Sequence, residues 1–491
     1  MLKRFLRQST PMQLKSQADA YLTVYLSLSI TVILALILAL LQGARVGAVK
    51  MKSELVTDIA SNSVLGEYNR ALFDQYGLLF IDDSFSSSNG YVKNVEEHLS
   101  KYFTKNFERS PLGIVTGRST QITAKLKDVS VNGFSVASDG NGAVLRRQIL
   151  AYMEAEPLEG TLAEAEKNLK VIKDKGYEFA DVEEQAKENE KTLSELSYTE
   201  TNENGEEEEI GADNPAGQVT AKRSIGVLPL CAPDFDAISN AAINSDSFIS
   251  HRNLKHGTGL DEKEDKGISS KALFDEYIFE KCGCYGRELE DSPLKYELEY
   301  IYAGKDSDYA NLEKVVNTLF LWREASNFEY LMSNEAMLAE AEALALTAAV
   351  VIAVPEAVTA IKAAIVLAWT FAETISDLHI LLSGGKVPII KSVSSWKLSL
   401  ENMLSFQDHL TDGGGSGLSY EDYLKVLLLM KNKKEKTFRL MDVMEMNVRA
   451  TKGNAHFKMD NCIDVFRADF NITGNNLRGL EIERIYGYER F

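Results

Sequence analysis

His251, His256, Cys282 and Cys284 are the residue types that bind zinc. Structural zinc sites need such residues at recurring short spacings. HxxxxH followed by CxC makes no established pattern. A structural role, or a disulfide through Cys282 or Cys284, is expected instead of a metal. Two glycine-rich stretches, Ser383 to Lys386 and Gly413 to Gly417, invite a phosphate reading. The first lacks the preceding glycine and the Ser or Thr after lysine that a phosphate loop uses, and the second has no lysine. Both read as turns. GxSxG and HExxH are absent from the sequence. No catalytic, cofactor-binding or metal-binding residue is assigned, no cofactor is expected, and no small-molecule substrate is identified.

One constellation of charge remains. Arg323 interrupts the apolar run LFLWREASN, and Glu373 and Asp377 lie one helical turn apart in WTFAETISDL. Lys386 and Lys391 follow. Charges inside apolar helices are paired when buried, because an isolated buried charge is very costly. A structural ion pair of Arg323 with Glu373 or Asp377 is expected.

The elements that carry these residues are helical. Residues 311–332 and 273–283 have amphipathic patterns. Segment 336–372 is strongly apolar, but its longest uncharged run, Ala343 to Pro355, is too short to span a bilayer. A buried helical hairpin is expected there. In 418–430, Ser419 and Asp422 have the spacing of a capping box.

Near the N-terminus the chain changes character. Residues 21–41, YLTVYLSLSITVILALILALL, carry no charge, and thirteen of them are Leu, Ile or Val. As a helix this stretch is about 31 Å long, matching a hydrocarbon core of roughly 30 Å. Thr23, Ser27, Thr31, Ala35, Ala39, Gly43 and Gly47 recur at every fourth position. Such small-residue registers let helices approach closely in lipid, so these seven are read as a packing groove for another membrane helix. Lys3, Arg4, Arg7 and Lys15 precede the span, whereas Arg45, Lys50 and Lys52 follow it. That bias places the N-terminus in the cytoplasm. The apolar core exceeds that of a cleaved signal peptide, so a retained anchor is expected.

The helical pattern continues through Val46, Val49, Leu55, Ile59, Val64, Leu65 and Leu72, predicting one helix over about 21–75 that ends at Gly77. LLFID then reads as a short strand and 91–109 as a helix. Residues 121–137 alternate, with Asn132-Gly133 read as a hairpin turn. Residues 143–195 read as charged, solvent-bridging helices, and 199–217, with Glu206 to Glu209, as a disordered acidic linker. The C-terminal alternation, with NITGNN between, predicts an antiparallel strand pair.

With 491 residues and a formal net charge of −19, the chain can build a sizeable core, and its acidity disfavours nucleic acid as a partner. Cys231, Cys282, Cys284 and Cys462 are too few for a disulfide scaffold. The expected organisation is a basic tail (1–20), a transmembrane helix (21–42), a helix extension with a small α+β region (43–142), charged helices and linker (143–222), and a main globular domain (223–491). The fold class is α+β, mostly helical.

Several segments together resemble a known group. They are ITVILALILALLQGARVGA, SVLGEYNRALFDQYGLLFID, LKYELEYIYAGKDSDYANL, LFLWREASNFEYL, AETISDLHILLSGGKVPIIKS and GLSYEDYLKVLLLM. The chain resembles an uncharacterised family of single-span Gram-positive envelope proteins associated with Tad-type pilus assembly. Its N-terminal region is similar to TadE- and TadG-like minor pilins. The resemblance implies a pilin-like small sheet after the long helix, an extracytoplasmic bulk, and pilus-assembly proteins, other membrane helices and membrane lipid as partners. A cut after Ala20 would put Tyr25 where type IVb prepilins carry glutamate, which favours a retained anchor. The expected function is that of a non-enzymatic structural or assembly component of a Tad-like pilus or secretion apparatus. The alternative is a membrane-tethered envelope enzyme or ligand-binding sensor.

Overall fold

A computed structural model describes residues 12–108, 124–155, 162–179, 182–201, 207–211, 216–261, 268–351, 354–474 and 477–488. The basic residues Lys3, Arg4 and Arg7, the start of the 121–137 alternation and the turn at 475–476 lie outside the described residues.

Helix α1, Met12–Leu65, is a single rod of 54 residues. At 1.5 Å per residue it is about 80 Å long. It ends earlier than the apolar pattern predicts. Asn69 instead caps a short helix α2, Arg70–Tyr76, by accepting from the backbone N–H of Leu72. Gly77, left-handed at φ 69°, closes α2. Asparagine satisfies free N–H groups at a helix start better than it serves a helix interior, so the chain turns here.

Strand β1, Ile81–Asp82, follows, then helix α3, Val92–Glu108, and strand β2, Ala124–Val136. At the other end of the chain, β5 (Cys462–Gly474) and β6 (Leu477–Gly487) form the antiparallel pair expected there. β5 is the centre of one sheet. It pairs with β2 along one edge, and with β6 and β1 along the other. Both ends of the described chain therefore build one unit. Val95, Leu99, Phe103 and Phe107 on α3 and Val56, Ala60 and Val64 on α1 bury against Phe466, Phe470 and Ile472 of β5. The spacings 95-99-103-107 and 56-60-64 place each set on one helix face, while 466, 468, 470 and 472 share one sheet face.

Asn132-Gly133 does not make a hairpin turn. β2 runs straight through it with a register shift between Val131 and Gly133. The dipeptide forms a bulge because β5 offers pairing along the whole strand, which a two-residue reversal would forfeit. A Cβ at Gly133 would meet the Gly259 carbonyl oxygen at 3.0 Å, so glycine admits that neighbouring loop.

The remaining helices form a second, larger core. Helix α4, Asp139–Ala155, begins with Gly140, Asn141 and Gly142 in left-handed conformation. Helices α5 (Leu162–Lys175) and α6 (Val182–Glu195) do not bridge solvent. Narrow stripes, Ala165 and Ile172 on α5 and Val182, Ala186 and Leu193 on α6, dock them on the helical unit. The acidic segment after α6 is also corrected. β3 (Ser197–Thr201) and β4 (Glu207–Gly211) pair antiparallel, each satisfying the other's backbone groups despite the charge of the segment. Residues 202–206 and 212–215 of it lie outside the described residues.

Helices α7 (Ile268–Lys281), α8 (Glu297–Ala303) and α9 (Asp308–Ser333) lead to the apolar hairpin of α10 (Glu335–Val351) and α11 (Val358–Leu382). Helix α11 is long and apolar enough to cross a membrane, but nearly all of its residues are buried within the fold. It is the axis of the larger core, packed by α9, α10 and α6. Helices α12 (Tyr420–Met430) and α13 (Lys433–Ala450) complete it. Ser419 and Asp422 form the expected capping box at the start of α12.

Candidate functional site

The seven small residues of the four-residue register sit on α1. Tyr21 to Leu41 are exposed apart from the half-buried Ser29, and the apolar side chains Tyr21, Leu22, Val24, Leu28 and Val32 each show more than half of their surface. The Ser27 and Thr31 hydroxyls donate to their own helix, to the carbonyls of Val24 at 2.9 Å and Ser27 at 2.7 Å. Thr31, Ala35, Ala39, Gly43 and Gly47 are exposed, and no atom lies within 4 Å of a Cβ built at either glycine. Burial on α1 begins at Val49 and becomes regular from Ser53. The helix is thus an exposed apolar rod for its first part and a packed wall of the sheet unit for its last. The rod is long and apolar enough to cross a membrane.

Ser53, Thr57 and Ser61 form a second small-residue register, fully buried on the packed side of α1. None of their hydroxyls has a hydrogen-bond partner.

The charge constellation forms a closed cluster. The Arg323 guanidinium donates to Asp377 Oδ2 through Nη2 at 3.0 Å and Nε at 3.2 Å. Its Nη1 donates to the carbonyls of Pro388 at 2.6 Å and Ile389 at 2.8 Å. Glu373 does not take the arginine. Its Oε1 lies 2.5 Å from Lys391 Nζ, which also reaches Asp377 Oδ1 at 2.7 Å. Glu373 further accepts the backbone N–H groups of Lys397 and Leu398, each at 2.8 Å. Asn327 donates to Asp377 Oδ2 at 3.0 Å. Lys386 is exposed and takes no part.

Two cations and two carboxylates, all buried, therefore neutralise one another. Burial pushes the Asp377 carboxyl up, but Lys391 and Arg323 outweigh it and hold the group below its usual range. Burial, aided by the Asp377 charge, pushes Glu373 up against Lys391. The cluster ties α9, α11 and the 388–398 segment together.

The glycine-rich stretches meet each other. Lys386 N donates to Gly414 O at 2.7 Å, Val387 and Leu418 exchange backbone hydrogen bonds at 2.9 and 3.0 Å, and Gly413 N donates to Ser383 Oγ at 2.7 Å. They knit the end of α11 to the start of α12. A Cβ at Gly385 would lie 2.7 Å from Gly413 C, so the close approach requires glycine.

The zinc-type residues lie apart in function. His256 Nδ1 is 3.5 Å from Asp139 Oδ1, while Cys282 and Cys284 are buried free thiols, as are Cys231 and Cys462. Burial pushes all four thiols up, so they are not thiolates at neutral pH. Among the described residues no group of three or more His, Cys, Asp or Glu side chains is arranged to hold a metal ion.

Sequence reasoning missed the buried carboxylates that lack a full counter-charge. Glu299 is fully buried beneath a cleft of about 550 Å³ lined by Tyr285, Arg287, Tyr296, Gly385, Tyr420 and Glu421. Its Oε1 accepts from Tyr285 N at 2.9 Å and Tyr420 Oη at 2.8 Å, and its Oε2 has no partner. Burial raises its carboxyl to about 7. Asp442, raised by burial to about 6, accepts from Ser250 and Tyr300. Helical spacing alone places such residues on a helix but not inside a core. The one available signal was Glu297 and Glu299 within the apolar run KYELEYIYA.

Residues 205–474, more than half of the chain, match the profile of a family of unknown function, DUF5702. The matched span includes the helical unit from α7 to α13 and strand β5, and leaves α1 outside. No curated protein and no solved structure matches the chain. By the extent of that match, the chain belongs to the DUF5702 family of unknown function.

Proposed function

We propose that this chain is a membrane-anchored structural or assembly component, held by α1, that acts through protein–protein packing outside the cytoplasm. The observation that carries this reading is the division of α1. One unbroken helix is apolar and exposed over 21–41 and buried along one side, against α3 and the sheet, from Val49 to Val64. An exposed apolar rod of this length is unfavourable in water, whereas thirteen Leu, Ile and Val residues favour insertion by several kcal/mol, at roughly −0.3 to −0.6 kcal/mol each. The span is then the anchor, and the small-residue register is its contact with another membrane helix.

The proposed setting is a Tad-like (type IVb-like) pilus or secretion apparatus. A long helix, apolar in its first half and packed on a small antiparallel sheet in its second, is similar to the layout of pilin-like proteins. Packing is preferred over catalysis because the most elaborate charge cluster is closed on itself and buried.

The test is a photocrosslinker attached to an Ala39→Cys variant in native membranes, with the captured protein identified by mass spectrometry. Capture of a pilus-assembly membrane protein is expected. Capture of none would remove the assembly reading. Recovery of the wild-type chain in the soluble fraction after alkaline extraction would remove the anchor as well.

A further inference from the structure

The cleft above Glu299 is shaped by a tight turn. Cys284 and Arg287 exchange both backbone hydrogen bonds, at 3.1 and 2.9 Å, around Tyr285 and Gly286. Gly286 has φ 82°, a conformation that glycine supplies at this place in a turn. Tyr285 lines the cleft, and its ring stands edge-to-face with those of Tyr296 (centroids 5.6 Å apart, 66°) and Tyr420 (5.8 Å, 73°). Aromatic rings at steep angles thus bound a space of about 550 Å³, a volume ordinary for a small-ligand site.

The charge around these rings is negative and largely unpaired. Asp234, Glu288 and Glu421 line the cleft together with a single cation, Arg287. Arg287 Nη2 is already committed, to the Phe279 carbonyl at 3.0 Å and to Glu421 at 3.4 Å. Asp234 accepts backbone N–H groups, of Asp236 at 3.1 Å and Ala237 at 3.2 Å, and Glu288 accepts that of Gly286 at 3.0 Å. Among the described residues neither carboxylate has a cation in ion-pair contact. Burial raises the Tyr285 hydroxyl, and Glu288 and Asp234 are among the neighbours that raise it further, so both carboxylates lie near that ring. From within the fold, Glu299 is aimed at the same wall. One of its oxygens accepts from Tyr285 N and Tyr420 Oη, and the other, fully buried, has no partner.

We propose that this cleft binds an alkylammonium group, with Asp234 and Glu288 taking its charge and Tyr285 its hydrocarbon stem. An ammonium has donors and no acceptor, which suits carboxylates that lack a cation, and aromatic rings attract cations through their faces. The lining charge opposes an anion. A metal ion needs ligands gathered round one point, and among the described residues no group of three or more His, Cys, Asp or Glu side chains is so placed. The ammonium comes either from a free polyamine or from a lysine side chain of a polypeptide. Binding here is independent of how α1 is used.

The test is isothermal titration calorimetry on the detergent-solubilised full chain. The probes are spermidine, the blocked peptide acetyl-Ala-Lys-Ala-amide and its norleucine counterpart, which keeps the stem and lacks the charge. Asp234→Asn with Glu288→Gln removes both charges but keeps oxygens that can accept the turn N–H groups, so its thermal unfolding midpoint should not move. Saturable binding of spermidine or the lysine peptide is expected, with none of the norleucine peptide. The double variant should weaken it about tenfold or more. Tyr285→Leu should weaken it about threefold or more, whereas Tyr285→Phe, which keeps the ring, should not. Glu340→Gln with Glu356→Gln removes two exposed carboxylates elsewhere and should leave binding unchanged. Saturation by spermidine alone would assign the cleft to a free polyamine, and by the peptide alone to a lysine side chain. Saturation by neither would overturn the proposal. So would equal binding in the Asp234→Asn, Glu288→Gln variant, or equal weakening by the control pair, which would reduce the effect to the general acidity of the chain.

Discussion

Without its guanidinium, position 323 would leave Asp377 buried with one cation where it now has two, the Pro388 carbonyl would lose its donor, and the Ile389 carbonyl would keep only Ser326 Oγ. Breaking a buried pair from one side costs about 3–5 kcal/mol, because an uncompensated charge remains. Arg323→Ala should therefore lower the unfolding free energy of the chain by an amount in that range, read as a fall in its denaturant midpoint. An unchanged midpoint would mean that Asp377 is satisfied without the arginine. Glu299 gives a second residue-scale prediction, in pH. Burial raises its carboxyl in the folded chain to about 7, from an ordinary 4.5. The folded state thus binds this proton more tightly than the unfolded state. Its contribution favours folding below about pH 4.5 and is lost as pH rises through 7. At about 1.4 kcal/mol per pH unit of displacement, the full loss is about 3 kcal/mol. Unfolding free energy should fall from pH 5 to pH 8, and Glu299→Gln should flatten that fall. An equally steep profile in the variant would show that Glu299 does not carry it.

At the scale of elements, β5 decides the sheet. It has β2 on one edge and β1 with β6 on the other, so nothing else in the sheet holds β2 to β6. Truncation after Asn461 would remove β5 and β6 and expose Val56, Ala60, Leu99 and Phe103. Limited proteolysis of the truncated chain should then cut within α3 and β2, sites protected in the full chain. Persistent protection there would show that α1 and α3 hold the unit alone. Local signals read some elements well. The capping box at Ser419, the terminal strand pair and the pairing of α10 with α11 were legible because each depends on neighbours in sequence, although the hairpin expected to be buried is buried through α11, with only Ala341, Ala345 and Ala349 of α10 enclosed. Asn132-Gly133 misled for the same reason: the dipeptide favours a turn locally, but a partner strand more than 330 residues away makes extension better. The docking of α5 and α6 was missed because their apolar stripes are only a few residues long.

Across the whole molecule, the two ends of the described chain close one unit and the middle builds the other. The rod of α1 extends from the closed unit. The sequence by itself determined the apolar rod and its small-residue register, because both follow from composition and from a repeat along one helix. It also determined that Arg323 and the two carboxylates of α11 needed partners, since burial of a lone charge is so unfavourable. Only the tertiary structure decided which partners they took. Asp377 received the arginine and Glu373 the lysine at 391, because the 388–398 segment folds back beside α11 and delivers Lys391 between the two carboxylates. Likewise, only the fold could set β5 against β2, or leave Met51, Leu55 and Ile59 facing outward. Periodicity fixes the faces of a helix or strand, whereas the surface that meets each face depends on complementarity between segments hundreds of residues apart.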